Sequence, residues 1–467
     1  MKRILLPALA PLALAPGWAC AADLDGATLS LAWGIPFAGI LLSIALLPLF
    51  AAQFWHHHFG KITALWTLLL LVPFTVTFGP HATLATIVHA LLAEYLPFVV
   101  LLFALYTISG GILVWGNLHG SPRLNTLLLA IGVLLASLMG TTGAAMLLIR
   151  PLLRANDNRR HRVHVVVFFI FLVANIGGGL TPLGDPPLFL GFLAGVGFFW
   201  TVEHMFLPVL LSSLVLLALF YALDRYFFAR EDELLPRDPS ADSPLQVYGK
   251  VNFLLLGGVV GAVLLSGSWK PGVAFVLLGT PVELQNLVRD LLLLGLAGLS
   301  LLITAKQVRA GNDFDWAPML EVAKLFAGIF LTIAPVLAIL RAGSAGQLAA
   351  LVGLVTAGDG TPRDAMYFWM TGLLSGFLDN APTYLVFFNL AAGDAQVLMH
   401  ELPRTLLAVS MGSVFMGALT YVGNAPNFMV KAIAEQRGVP MPSFFAFLLW
   451  SLAILVPWFV LLTLFFF

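Results

Sequence analysis

The chain has 467 residues, 60% of them hydrophobic and only 10% charged, whereas a soluble domain carries about 25% charged residues. With a mean hydropathy of +0.97, and with about 20 helical residues needed to cross a hydrocarbon core of ~30 Å, the composition describes a polytopic helical membrane protein with room for roughly ten to twelve spans. Lys and Arg number 23 against 23 Asp and Glu, which argues against nucleic acid as a partner; the single cysteine, Cys20, excludes an intrachain disulfide framework and a thiolate metal cluster, and no glycine-rich phosphate loop supports ATP hydrolysis.

In chain order, Lys2 and Arg3 precede an apolar stretch from Ile4 to Ala15, and Ala19-Cys20-Ala21 offers a small-residue cleavage site. Residues 1–21 therefore read as a bacterial secretory signal peptide. Spans are expected over 30–52, 62–79, 96–116, 163–200, 203–226, 250–267, 287–304, 319–340, 403–436 and 443–466, those at 163–200 and 403–436 being long and interrupted. Two further apolar stretches, 124–153 and 364–392, are broken by Gly140-Thr141-Thr142-Gly143 and by Asp379-Asn380-Ala381-Pro382 and read as re-entrant hairpins. The run His56-His57-His58 reads as a solvated turn in a short loop, and 83–95 and 343–357 as amphipathic connectors at the outer interface.

The polar stretch 229–249 is the linker between two halves, 22–228 and 250–467. Each half holds five crossings and one hairpin, and an odd number of crossings turns the second half upside down, which is how an inverted repeat arises. Lys and Arg orient the whole. Arg150, Arg154, Arg159, Arg160 and Arg162 fall on the side assigned to the cytoplasm, and outside there are only Lys270, Arg289, Arg341, Arg363 and Arg404. The expected location is the bacterial inner membrane, multi-pass; a homodimer is compatible with this layout.

An internal match marks a site. Gly178-Gly-Leu180-Thr181-Pro-Leu-Gly184-Asp185-Pro-Pro187 aligns with Gly417-Ala-Leu419-Thr420-Tyr-Val-Gly423-Asn424-Ala-Pro426 at an offset of 239, and the hairpin breaks coincide at 238, setting Thr141-Thr142 against Asp379-Asn380. Helices broken at mid-membrane free backbone carbonyls that are tolerated only where they are buried in protein or line a wet cavity. With Thr hydroxyls and Asn amides they form an oxygen-rich nest suited to a hard cation. Asp185 and Asp379 are the carboxylates in these breaks. Capping alone would be served as well by a neutral Asn, as Asn424 illustrates, whereas an ionised carboxylate costs at least about 2.5–3.5 kcal/mol at the membrane centre. Both are therefore read as cation or proton sites. Thr141, Thr142, Thr181, Thr420, Asn175, Asn380, Asn424 and Asn427 are read as neutral ligands or as ties for the broken backbone.

The segment Asn175-Ile-Gly-Gly-Gly-Leu-Thr-Pro-Leu-Gly-Asp-Pro-Pro187 and the tip Leu378-Asp-Asn-Ala-Pro-Thr383 resemble NhaD-type sodium/proton antiporters, of the ion-transporter superfamily that also holds citrate, dicarboxylate and arsenite carriers. The resemblance implies an all-α inverted-repeat fold with two helical hairpins, a scaffold part and a moving transport part. It implies a secondary transporter, not an enzyme, with no cofactor, exchanging Na+ or Li+ for H+ across the lipid bilayer. The dicarboxylate branch shows Ser-Asn-Thr at its hairpin tips, where this chain has Gly-Thr-Thr-Gly and Asp-Asn-Ala. Cation-coupled citrate or dicarboxylate transport is the alternative.

Overall fold

The structure, a computed structural model, describes residues 2–3, 24–231 and 243–467. Most of the expected signal peptide and the middle of the linker lie outside the described residues. Among the described residues, nine helical stretches are long and apolar enough to cross a bilayer, from Leu31–Phe50 to Phe444–Phe466. The chain is a mostly helical, multi-pass membrane protein.

Three features depart from the sequence reading. The first is in Ala52–Ser109: the helix breaks at Gly79, where the expected span 62–79 ends, but the piece after the break runs on through the expected connector into the next span. Helix Ala52–His89 takes φ +86 at Gly79 and continues through the π-helical turn Ala90–Tyr95 into Leu96–Ser109. His56, His57 and His58 lie on the first turns of that helix, because no proline or capping residue separates them from the apolar run that follows.

The second is a little β-structure in a chain expected to be all-α. Leu113–Asn117 pairs antiparallel with Ser243–Tyr248, which returns the end of the linker to the foot of the first broken hairpin segment. Val273–Leu277 and Thr280–Glu283 form a hairpin, with Lys2–Arg3 added at its edge. Leu278 and Gly279 both take positive φ between the two strands, the twist that a two-residue hairpin loop requires.

The third is register. Helices Pro122–Met139 and Thr141–Ala155 meet at Gly140, φ +80 and ψ 150; Asp364–Leu378 and Asn380–Ala391 meet at Asp379, φ +133 and ψ 139. Gly140 thus corresponds to Asp379 and Thr141 to Asn380, so the offset is 239 here as well, not 238.

The interrupted segments run Val163–Leu172, Ile176–Leu180 and Pro186–Leu193 in the first half, and Pro403–Met416, Gly417–Leu419 and Ala425–Gln436 in the second. They are sheltered: 89% of the Val163–Leu180 window is buried, against 22% of Leu284–Ile303. Broken backbone needs that protein cover, since lipid offers no hydrogen bonds.

Candidate ion and substrate site

The two breaks share their local chemistry. The Thr181 hydroxyl donates to the Ser137 carbonyl at 2.5 Å and accepts from the Leu183 N–H at 3.2 Å. The Thr420 hydroxyl donates to the Gly376 carbonyl at 2.5 Å and accepts from the Val422 N–H at 3.1 Å. Gly184 crosses so near Gly178 that a Cβ would lie 2.1 Å from the Gly178 carbonyl oxygen, and Gly423 stands in the same relation to Gly417 at 2.5 Å. Only glycine permits these approaches. Pro186 and Pro426 then open the following helices in the first turn, where a missing N–H is harmless.

Four helices begin at one place. The Asp185 carboxylate, 1% exposed, accepts from Thr141 Oγ1 at 3.2 Å, Asn380 Nδ2 at 2.6 Å and Asn424 Nδ2 at 2.9 Å. Thr141 and Asn380 are the first residues of their helices, and Asp185 and Asn424 immediately precede theirs. Each helix start carries the equivalent of roughly +0.5 charge. The carboxylate is therefore balanced by neutral donors and backbone dipoles. Although Asp185 occupies an N-cap position, its side chain makes no capping bond.

Behind this ring, Asn175 donates to Asn427 Oδ1 at 2.7 Å and to the Ile170 carbonyl at 2.8 Å. Asn424 also reaches the Ala174 carbonyl at 3.0 Å, and Asn427 donates to the carbonyls of Gly417 and Thr420, both at 2.9 Å. These amides tie the two broken backbones together. Thr181 and Thr420 are committed to backbone groups. Thr142 is on the wall of a cavity beside the ring. Asp379 is half-buried, and its carboxylate accepts from the Ala381 N–H at 3.1 Å, capping its own helix and making no bond to Asp185.

The cavity holds about 100 Å³; a water needs about 10–15 Å³ measured this way, so several waters or a hydrated ion fit. Met139–Gly143, Pro182–Pro186, Tyr106, Met319, Ala425, Pro426 and Met429 are on its walls. No Lys, Arg or His is among the described residues lining it.

Sequence reasoning missed Ser137, whose hydroxyl donates to the Gly177 carbonyl at 2.5 Å and accepts from the Leu180 N–H at 3.2 Å. Its counterpart at an offset of 239 is Gly376, so no identity flags it. A second buried polar cluster around Asp224 also escaped: Asp224 lies near the end of Phe198–Phe228 and meets its partners only through the fold.

The family described as "Putative citrate transport" matches residues 26–467. Over 344 residues the chain is 27% identical to the 46 kDa membrane protein of Mycobacterium leprae (strain TN), covering 72% of this chain and 75% of that one. Over 340 residues it is 26% identical to Uncharacterized transporter Mb2703 of Mycobacterium bovis, covering 70% and 73%.

Proposed function

The chain belongs to this citrate-transport family, and we propose that it is a secondary active carrier moving citrate or a related carboxylate together with a cation or proton held at Asp185. The observation that carries the reading is the convergence of four helix starts on one buried carboxylate. Half-helix N-termini accept anionic substrate groups at mid-membrane. Asp185, when bare, repels such a group, so the substrate enters only once Asp185 has taken a proton or a cation. That exclusion couples the two movements.

The layout proposed around this site is an inverted repeat, 22–228 and 250–467 with 229–249 between them, in which 122–155 and 364–391 are re-entrant hairpins in a bacterial inner membrane. The paired contacts of Thr181 and Thr420, and the shared offset of 239, support it. Thr141, Asn380 and Asn424 are assigned as direct partners of the ion, Asn175, Asn427, Thr181 and Thr420 as ties of the broken backbone, and Thr142 and Asp379 as polar groups at the rim.

A second reading, Na+ or Li+ exchange for H+ with no organic anion, is favoured by the absence of basic side chains from the cavity wall. Proteoliposomes decide between them. Citrate uptake that requires an imposed Na+ or H+ gradient is the expected result. Full Na+-driven proton flux with no citrate present, together with no citrate uptake, would promote exchange instead.

A further inference from the structure

Two helices run from the Asp185 ring to one cluster of arginines. Thr141–Ala155 starts at the ring and carries Arg150 and Arg154 one turn apart at its other end; nine residues of helix set Arg150 roughly 13 Å from Thr141. Ala425–Gln436 starts beside the ring, packs along the first helix and is followed by Arg437. The charges of Arg150 and Arg437 both bear on the Arg154 guanidinium. Asp313 meets Arg150 Nε at 3.2 Å with its own side chain 69% exposed; Asp315 acts with Arg150 on Tyr106, and Glu435 precedes Arg437 by two residues.

The cluster is incompletely satisfied. Arg154 Nη2 donates to the Val114 carbonyl at 2.8 Å and its guanidinium lies 5.0 Å from the Trp115 ring centroid. Arg150 Nη1 and Arg154 Nε, both buried, have no hydrogen-bond partner among the described residues, and Arg150 is only 8% exposed. Charge near a span end serves topology, but topology asks for no buried, unpaired guanidinium nitrogens, which are costly to leave unmade. Between the arginines and the ring, Tyr106, Met146 and Met319 form a small apolar cluster, with Met429 packed on it; Tyr106, Met319 and Met429 are also cavity wall.

Resting on the carboxylate reading above, we infer that Arg150, Arg154 and Arg437 form a separate oxyanion site at the inner mouth of the pathway, taking carboxylate groups of the substrate as it enters or leaves on the cytoplasmic side. The ring cavity has no cationic side chain to offer a citrate-class anion, and guanidinium groups pair with carboxylates through two parallel hydrogen bonds. The Tyr106–Met146–Met319 cluster separates this port from the ring. A phospholipid phosphate has the same chemistry, and the test below keeps the two apart.

The test is citrate flux in sealed vesicles of both orientations, with Arg154→Gln, Arg154→Lys and Arg437→Gln. Arg437 is exposed, so its variant folds even where Arg154→Gln does not. Each Gln variant should raise the citrate KM at the cytoplasmic face about tenfold. The outer-face KM and the Na+ dependence should be unchanged, and Arg154→Lys should restore part of the loss. An unchanged KM, or an equal rise at both faces, overturns the arginine site alone. A shift that disappears when phosphatidylglycerol is replaced by phosphatidylcholine assigns the cluster to lipid headgroups and overturns it too. Absence of citrate flux in the wild-type protein defeats the carboxylate reading itself, and this site with it.

Discussion

Asp185 and Asp224 are equally buried and differently answered. Asp224, 0% exposed, has Arg159 Nη2 at 2.6 Å, His164 Nε2 at 2.8 Å and Asn125 Nδ2 at 2.9 Å. Asn125 and Asn156 exchange hydrogen bonds at 2.8 and 2.9 Å, and Arg159 Nε also lies 3.6 Å from Glu231. A guanidinium at contact distance neutralises Asp224 permanently and fixes the foot of Pro122–Met139 against Val163–Leu172 and Phe198–Phe228. Among the described residues, Asp185 has no such counter-ion. Hydrogen bonds from Thr141, Asn380 and Asn424 make its charge bearable without cancelling it, and leave it open to a proton or cation. In a low dielectric, a carboxylate answered by a guanidinium stays charged, and one answered by neutral donors is what the proposed transport role of Asp185 requires.

Exchanging each carboxylate for its amide should separate the two most sharply. Asp185→Asn should abolish coupled flux, at least a hundredfold below wild type, while the thermal midpoint of the purified protein moves by only a few degrees, because the amide keeps the shape and can turn either end to the ring. Asp224→Asn should do the reverse. Breaking a buried ion pair from one side costs about 3–5 kcal/mol, so yield and thermal midpoint fall, while whatever protein folds retains gradient-dependent transport. Flux measured per folded molecule checks both. Normal transport by Asp185→Asn would end the distinction.

A smaller effect comes from supplying the second carboxylate that the first break has and the second lacks. If H+ and cation compete for Asp185 as proposed, the cation concentration giving half-maximal flux should rise as pH falls, about tenfold per unit for one displaced proton once the carboxylate is mainly protonated. Asn424→Asp sets a carboxylate where an amide now lies 2.9 Å from Asp185. Like charges at that distance do not both ionise freely, so the pair binds an additional proton and the slope should steepen towards two. An unchanged slope in the variant would mean that Asp185 is not where the competition occurs.

The parts of this contrast differ in how openly the sequence carried them. Repeated Gly, Thr, Pro and Asp/Asn positions exposed the breaks because each marks backbone that lipid cannot serve, and Thr141, Asp185, Asn380 and Asn424 do meet. The hairpin register differs by one because Gly140 and Asp379 share a backbone shape and no chemistry, so the sequence sets the polar pair Thr141-Thr142 against Asp379-Asn380 instead. Asp379 reads from the sequence, like Asp185, as a cation or proton site; in the structure its carboxylate accepts from the Ala381 N–H and makes no hydrogen bond to Asp185. The Asp224 cluster joins residues about 100 positions apart in sequence, such as Asn125 and Asp224, and no periodicity announces such a meeting. The short strands likewise depend on partners that local propensity does not specify.

The finest test removes one neutral donor from each carboxylate. Thr141 gives Asp185 its longest hydrogen bond, 3.2 Å, and Thr141→Val keeps the shape while deleting it. A net hydrogen bond is worth about 0.5–1.5 kcal/mol, so the apparent cation affinity should weaken roughly three- to tenfold, with little change in thermal midpoint. Asn125→Ala takes from Asp224 a donor at 2.9 Å and from Asn156 its bonding partner; it should lower the midpoint and leave the apparent affinity alone, because Arg159 and His164 still hold that charge. If both variants shift affinity alike, the two carboxylates belong to one coupled network. If Thr141→Val shifts stability and not affinity, the ring around Asp185 is architecture, and the transported ion is bound elsewhere.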